Sequence, residues 1–322
     1  MRGVTGGEAI GHKRLDTLDE GRDMQARRLN IAVGIATLGR PGILSETIDI
    51  LAGQARSPDR LVVCVVKDED VDLACLRRFP AATSVVKGAV GLTAQRNRIL
   101  TEVPDADILV FFDDDFFPRG DYLSQIERIF LTHQDVMGTT GRPIEDGISG
   151  PGLTVDHARS VIAQVPQAAA DDEAIAGTVG TYGCNMAFRM APIRSHAIRF
   201  DENLPLYGWQ EDIDFSAQVA RHGRVIESNS LKGAHLGNKG ARSSGVRFGY
   251  SQIANPIYLI RKGTMSWSYA LWLMGRNMGA NLLRLFRPEP WVDRRGRLKG
   301  NALALFDMIL GRSSPRRILE LR

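Results

Sequence analysis

Four nearly unbroken apolar runs stand out early in the chain: LNIAVGIATLG (29–39), LVVCVV (61–66), SVVKG (84–88) and DILVFF (107–112). Each is short, rich in β-branched or aromatic residues, and the first two close on RPG and KDED, so all four read as strands. Segments with helical spacing lie between them. SETIDILAGQ (45–54) offers Ser45 as an N-cap, with Ile48 and Leu51 as its apolar positions. TAQRNRILTEV (93–103) follows the third run, and DYLSQIERIFLTHQ (121–134) offers Asp121 as a cap. Strands apolar throughout, alternating with helices, predict an α/β fold with a mainly parallel sheet covered on both faces.

Further on the pattern loosens. Residues 138–180 are rich in Gly, Pro, Ala and Asp and read as a long surface excursion. Order returns with YGCNMAFRM (182–190), then EDIDFSAQVARHG (211–223) as a helix with an acidic first turn and RVIES (224–228) as a short strand. AHLGNKGARSSG (234–245) reads as a Gly-rich basic loop, and the remainder is helical. The expected organisation is a lead-in over 1–28, a main domain over 29–245 and a basic amphipathic helical region over 246–322.

Composition narrows the setting. The chain has 322 residues, 43% hydrophobic and 24% charged, which is ordinary for a globular protein. Three separated cysteines with no CxxC pair suggest a reducing compartment, and residues 1–28 lack the apolar stretch of a secretory signal, so a cytoplasmic protein is expected. No run of apolar residues is long enough to predict a spanning helix. The charge of +4 hides an asymmetry: residues 261–322 hold 13 Lys/Arg against 4 Asp/Glu, a net of +9, on a body of −5. Such a tail needs a polyanionic neighbour, and its Trp- and Leu-rich helices either pack on the body or lie on an anionic membrane. No recognition motif or aromatic platform points to nucleic acid.

Candidate chemistry collects at strand ends. In a parallel α/β sheet ligands bind beyond the carboxyl ends of the strands, where the turn after 38, the acids at 68–70 and Asp113, Asp114 and Asp115 all fall. A solvated turn also accommodates aspartates. Three carboxylates leaving a buried strand, however, need a cation or hydrogen-bond donors, and hard oxygen ligands suit Mg²⁺ or Mn²⁺ with a diphosphate. Glu211 and Asp212 begin a helix, where the macrodipole alone favours acids. Beside Tyr207 and Trp209 they are also suited to general-base work. A lone histidine such as His235 is ordinarily a packed residue.

The motifs ATLGRP, the acidic position after the second strand, GLTAQRN, FFDDD, GCNMAFR and GWQEDIDF occur in the order seen in family 2 glycosyltransferases, over about residues 29–240. The resemblance implies a GT-A fold (Rossmann-like, helices on both faces of the sheet, here with a C-terminal helical extension), a nucleotide-sugar donor and an inverting mechanism. Its closest likeness is to bacterial enzymes of cell-surface polysaccharide synthesis. By resemblance, Thr37 and Arg40 match the nucleotide-holding turn and Asp68 the acid that meets the base, although KDED leaves Glu69 or Asp70 open for that role. Arg96, Asn97, Asp113, Asp114 and Asn185 match donor-side positions, and Trp209 is expected at donor or acceptor. Asp115 matches the metal ligand with His235 completing the site, and Asp212 of the Glu211–Asp212 pair matches the base. Lys239 and Arg242 then belong to a basic lid over the diphosphate. The implied cofactor is Mn²⁺ or Mg²⁺. The implied partners are a nucleotide sugar, probed best as a UDP-sugar, and a glycan or lipid-linked saccharide acceptor. A nucleotidyltransferase, which would release pyrophosphate, and a non-catalytic nucleotide-binding scaffold are the alternatives.

Overall fold

The computed structural model describes residues 28–167, 174–238 and 244–321. The early apolar runs form β1 (Ile31–Ala36), β2 (Arg60–Val65), β3 (Ala82–Lys87) and β4 (Ile108–Asp113). They pair in parallel in the order β3-β2-β1-β4, because helices cover both faces and leave no side of the first, second and fourth strands wet. On one face α1 (Pro41–Ala52) and α4 (Tyr122–Thr132) bury Leu44, Ile48, Leu51, Ile126 and Phe130 against Val33, Ile35 and Val110. On the other, Ile99 and Leu100 of α3 (Leu92–Glu102) and Phe215 of α7 (Glu211–Val219) pack with Val62, Leu109 and Phe111. Each such side chain stabilises the fold by about 1.5–3 kcal/mol on burial.

The sheet continues beyond β4 through β9 (Asn185–Arg189), β6 (Val136–Gly141), β10 (Arg224–Ser228) and β8 (Ile175–Gly177). β9 runs antiparallel between β4 and β6, which brings the start of β9 beside the carboxyl end of β4. A second sheet sets β11 (Gly233–His235) between β5 (Phe116–Pro118) and β7 (Glu145–Asp146). α5 (Val155–Gln164) packs on it through Ala158 and Val161, and two short helices, α2 (Leu73–Arg77) and α6 (Met190–Ser195), complete this part.

Three expectations are corrected. α1 begins at Pro41, whose ring presets the first helical φ, and Ser45 instead donates back to the Pro41 carbonyl at 2.9 Å. Asp121 stands at the start of α4 without capping it, because its carboxylate takes Arg119 at 2.5 and 2.9 Å. Residues 138–180 are not a loose excursion: they hold β6, β7, α5 and β8, and β6 is internal to the sheet. Small residues hid it. Thr139 and Thr140 are buried, and Gly138 leaves room for the Phe188 ring, which a Cβ would meet at 3.0 Å.

The tail folds as α8 (Gly245–Lys262), α9 (Trp267–Leu283) and α10 (Arg294–Ile309). α8 and α10 cross closely at Gly249 and Gly300, where any Cβ would strike the facing backbone. α8 also docks on the body, where Lys262 pairs with Asp201 at 2.6 Å and Asp214 at 2.7 Å. Asn255 donates to the Trp209 carbonyl at 2.8 Å. Among the described residues no helix is long and apolar enough to cross a membrane.

Candidate active site

The turn that leaves β4 divides the aspartate triplet: β4 ends at Asp113, and Asp114 and Asp115 form the turn before β5. Asp113 and Asp115 both approach His235, whereas Asp114 turns into the protein, where it is fully buried. There Asp114 accepts from Thr37 Oγ1 at 2.7 Å and Arg40 Nε at 3.2 Å, and Arg40 also forms an ion pair with it. These bonds tie the turn after β1 to the end of β4. Burial pushes the Asp114 carboxyl above the ordinary carboxylate range, with Asp115 adding to the shift and Arg40 opposing it.

The small sheet completes what the triplet begins. Pairing of β11 with β5 puts His235 opposite Phe116, and the Leu236 amide donates to the Asp115 carbonyl at 2.9 Å. Asp113, Asp115 and His235 each offer a ligand atom, all within 4.8 Å of one another. His235 Nδ1 meets Asp146 Oδ1 at 2.9 Å, and Nε2 faces Asp115 Oδ1 at 3.5 Å. The Tyr182 hydroxyl and the Ile148 amide also donate to Asp146, at 2.8 and 2.9 Å. Burial would lower the imidazole pKa, but hydrogen bonds to Asp115 and Asp146 raise it to about 10. Burial likewise works against an ionised Asp115, yet His235 and Arg40 hold it below the usual range.

Arg96 links this cluster to the second acidic pair. Its guanidinium, 1% exposed, donates to Asp113 Oδ1 at 2.9 Å and the Gly183 carbonyl at 2.7 Å, and pairs with Glu211 Oε1. The rings of Phe111 and Phe200 lie 5.8 and 5.6 Å from it. Glu211 is buried, its Oε2 has no hydrogen-bond partner among the described residues, and its pKa is pushed up to about 8: burial outweighs Arg96, and Asp212 adds to the rise. Asp212 is half-buried and accepts from the Gly183 amide at 3.0 Å and its neighbour Ile213 at 2.9 Å. Burial shifts it upward too, against those backbone bonds. The chain enters α7 through positive φ at Leu206, Gly208 and Gln210, a strained approach that aims both acids inward. Asp113, His235, Tyr182, Trp209, Glu211 and Asp212 line one cavity of about 120 Å³.

The fold is shared with solved glycosyltransferase structures. The Pyrobaculum calidifontis mannosyltransferase PcManGT, in complex with GDP-Man and Mn²⁺, aligns over 91% of this chain and 86% of its own, with a TM-score of 0.54 and 16% identity. S. aureus TarS 1-349 with UDP-GlcNAc aligns over 91% and 84%, with a TM-score of 0.53 and 14% identity. GalNAc-T7 with UDP, GalNAc and Mn²⁺ aligns over 91% and 57%, at 0.55 and 12%. The fold is GT-A. The chain spans 64%, 40% and 66% of three further TarS chains. No protein-family model and no curated protein matches it.

Within the GT-A frame the anticipated residues separate. Asp113, His235, Arg96, Glu211, Asp212 and Trp209 line the cavity, Asp115 lies buried against Asp113 and His235, and Thr37 and Arg40 brace Asp114 behind it. Asn97 faces away, exchanging hydrogen bonds of 2.9 Å with the Phe200 backbone, because its place on α3 points toward that loop. Asn185 is buried inside the sheet, held by Thr140 Oγ1 at 2.5 Å and the Gly141 carbonyl at 2.8 Å. Asp68 is exposed and pairs with Lys87 at 2.8 Å, outside the cavity lining. Asp70 accepts from the amides of Gly39, Val66 and Lys67 at 2.8 to 3.0 Å and is buried, whereas Asp68 and Glu69 are both exposed. Lys239 and Arg242 lie outside the described residues.

Asp146 and Tyr182 were not anticipated, since only the three-stranded sheet and the T-shaped Tyr182–His235 contact bring them in. Two carboxylates and one imidazole fit a divalent cation. Asp146 fixes the ring by holding Nδ1, so that Nε2 faces the carboxylates.

Proposed function

We propose that the chain is an inverting, metal-dependent glycosyltransferase of the family 2 type, with residues 29–245 as the transferase unit and 246–322 as its helical extension. It moves a hexose from a nucleotide sugar, UDP-linked, to a hydroxyl of a glycan or lipid-linked saccharide in cell-surface polysaccharide synthesis. Peripheral attachment to the cytoplasmic face of a membrane belongs to the same reading. The observation that carries it is one cavity at the carboxyl end of β4 lined by Asp113 and His235 on one side and Glu211 and Asp212 on the other, with Asp115 buried next to the first pair and within ligand distance of it. The nucleotide sugars bound by PcManGT and TarS support the substrate class, and the Mn²⁺ bound by PcManGT supports the cofactor.

Asp113, Asp115 and His235 would hold Mn²⁺ or Mg²⁺, whose chemistry at this place is neutralisation of a diphosphate. Arg40 and Thr37 keep the turn after β1 against the end of β4, and Asp68 is the acid for the nucleotide base. Asp212 accepts the proton of the acceptor hydroxyl as that oxygen attacks the anomeric carbon. The new C–O bond forms on the face opposite the breaking bond to the nucleoside diphosphate, which leaves with the electron pair. Glu211, paired with Arg96, positions Asp212 and the Gly183 turn. Trp209 lines the sugar side of the cavity.

The test is turnover of a nucleotide-sugar panel with Mn²⁺ and a saccharide acceptor. Release of nucleoside diphosphate with inverted product is expected, and pyrophosphate release would instead make the chain a nucleotidyltransferase. Asp212→Asn should lower turnover about 10²–10⁴-fold while donor-induced thermal stabilisation persists. A base acts only when deprotonated, and burial raises Asp212, so activity should climb with pH through a pKa above the usual value of about 4. Wild-type turnover by Asp212→Asn would remove the base assignment.

A further inference from the structure

Among the described helices α9 exposes the most large apolar side chains, with α10 next through Phe306 and Ile309. The inner face of α9 carries Ala270, Leu273, Met274 and Asn281, all buried against the neighbouring tail helices and the body. Its outer face is apolar as well. Trp267, Leu271, Trp272, Leu282 and Leu283 are 54 to 75% exposed, and Phe286, just past the helix end, is 81% exposed. At 100° per residue these positions, with Gly275 and Gly279 among them, occupy one side of the helix. Surface helices normally place charge there, and exposed apolar stripes of this extent mark interaction sites.

Charge narrows the occupant. No Asp or Glu occurs between residues 263 and 288, whereas Arg276, Arg284 and Arg287 do, within a tail of net charge +9. Arg276 lies over the Trp272 ring with its guanidinium 4.7 Å from the centroid, at the edge of the apolar side. Two tryptophans and bulky aliphatics bordered by arginines match the layering of a bilayer interface, where rings and methyls enter the acyl boundary and guanidinium groups meet phosphates. A helix of 17 residues measures about 25 Å, and with arginine at its middle it suits lying in the interface plane.

We propose that the outer face of α9, continued to Phe286, is a docking surface for an anionic phospholipid bilayer. The proposal rests on and deepens the membrane attachment named in the proposed function, but no residue of α9 lines the acidic cavity, and vesicle binding is read without turnover, so either reading can fail while the other stands. The full chain is mixed with vesicles of phosphatidylcholine alone or of equimolar phosphatidylcholine and phosphatidylglycerol, and bound protein is separated by flotation. Binding to the anionic vesicles is expected, weaker on pure phosphatidylcholine and falling as salt rises. The substitutions Leu271→Ser, Leu283→Ser and Phe286→Ser together should weaken binding about 100-fold or more with an unchanged melting temperature. Arg276→Glu with Arg287→Glu leaves the apolar face intact and should remove the preference for anionic vesicles, a loss of about tenfold. Absence of vesicle binding overturns the proposal. So does a concentration-dependent dimer in analytical ultracentrifugation that the serine substitutions dissolve while lipid binding is absent, which would make the face an interface between copies of this chain. Equal binding to both vesicle types would overturn the electrostatic half.

Discussion

The cavity at the end of β4 and the outer face of α9 violate the usual partition of residues in opposite senses. In and beside the cavity, charges are buried: Arg96 pairs with Glu211, and His235 faces Asp115, all four nearly inaccessible. On α9, large apolar side chains stand in solvent with arginines at their border. Buried charge costs several kcal/mol per ion unless paired, and exposed apolar surface forfeits the burial that drives folding. Neither arrangement improves the stability of the isolated chain. The two proposals give each a partner: a cation with a diphosphate at the cavity, and an anionic bilayer at α9.

The contrast can be broken from either side, and the largest effect should come from the cavity. Asp115→Ala removes one of the three candidate ligands, and turnover in added Mn²⁺ should fall about 10³-fold, with the remaining rate insensitive to chelator. An unaltered rate would detach the metal from the triplet. Next is Arg96→Met, which leaves Asp113 and Glu211 facing each other without their cation. Urea unfolding should show a loss of about 3–5 kcal/mol, the range expected when one member of a buried ion pair is removed. A neutral result would mean that both acids are protonated in the native state.

Asp146→Asn tests the support behind His235. The imidazole loses the carboxylate that fixes its ring, and Mn²⁺ affinity by calorimetry should weaken about 10–100-fold with little change in fold. The smallest effect belongs to the tail. Leu283→Ser with Phe286→Ser should alter unfolding free energy by no more than about 0.5 kcal/mol, since both side chains are already in water. A large loss would show that the outer face is covered in the folded chain, and the contrast would collapse.

Legibility followed the range of the interactions. Asp113 and Asp115 could be found from the sequence because a continuous apolar strand announces its own end, and parallel sheets bind ligands there. Glu211 and Asp212 could be found because a helix start is a local event. Asn97, one of a polar pair on α3, and Asn185, a polar residue in an apolar run, are both expected at the donor, but their hydrogen bonds go to the protein, a matter of helix phase and strand register. Asp114 shows the same limit within one motif. The turn that follows β4 carries it from the strand end into the core, where Thr37 and Arg40 wait. β6 escaped notice because Gly and Thr carry little hydrophobic signal, although Thr139 is as buried as any valine.

The sequence by itself determined the alternation of strands and helices, the acidic ends of those strands and the basic charge of the tail, all products of local pattern and composition. Tertiary structure alone decided three other things. A two-residue strand, Glu145–Asp146, pairs with β11 and so delivers Asp146 to His235. The antiparallel course of β9 brings Gly183 and Cys184 beside Asp113, where Arg96 can bind both ends. The docking of α8 through Lys262 and Asn255 settles which face of the next helix is left in solvent. The reason is common to all three: these contacts join residues far apart in the chain, and their free energy exists only once both partners are in place.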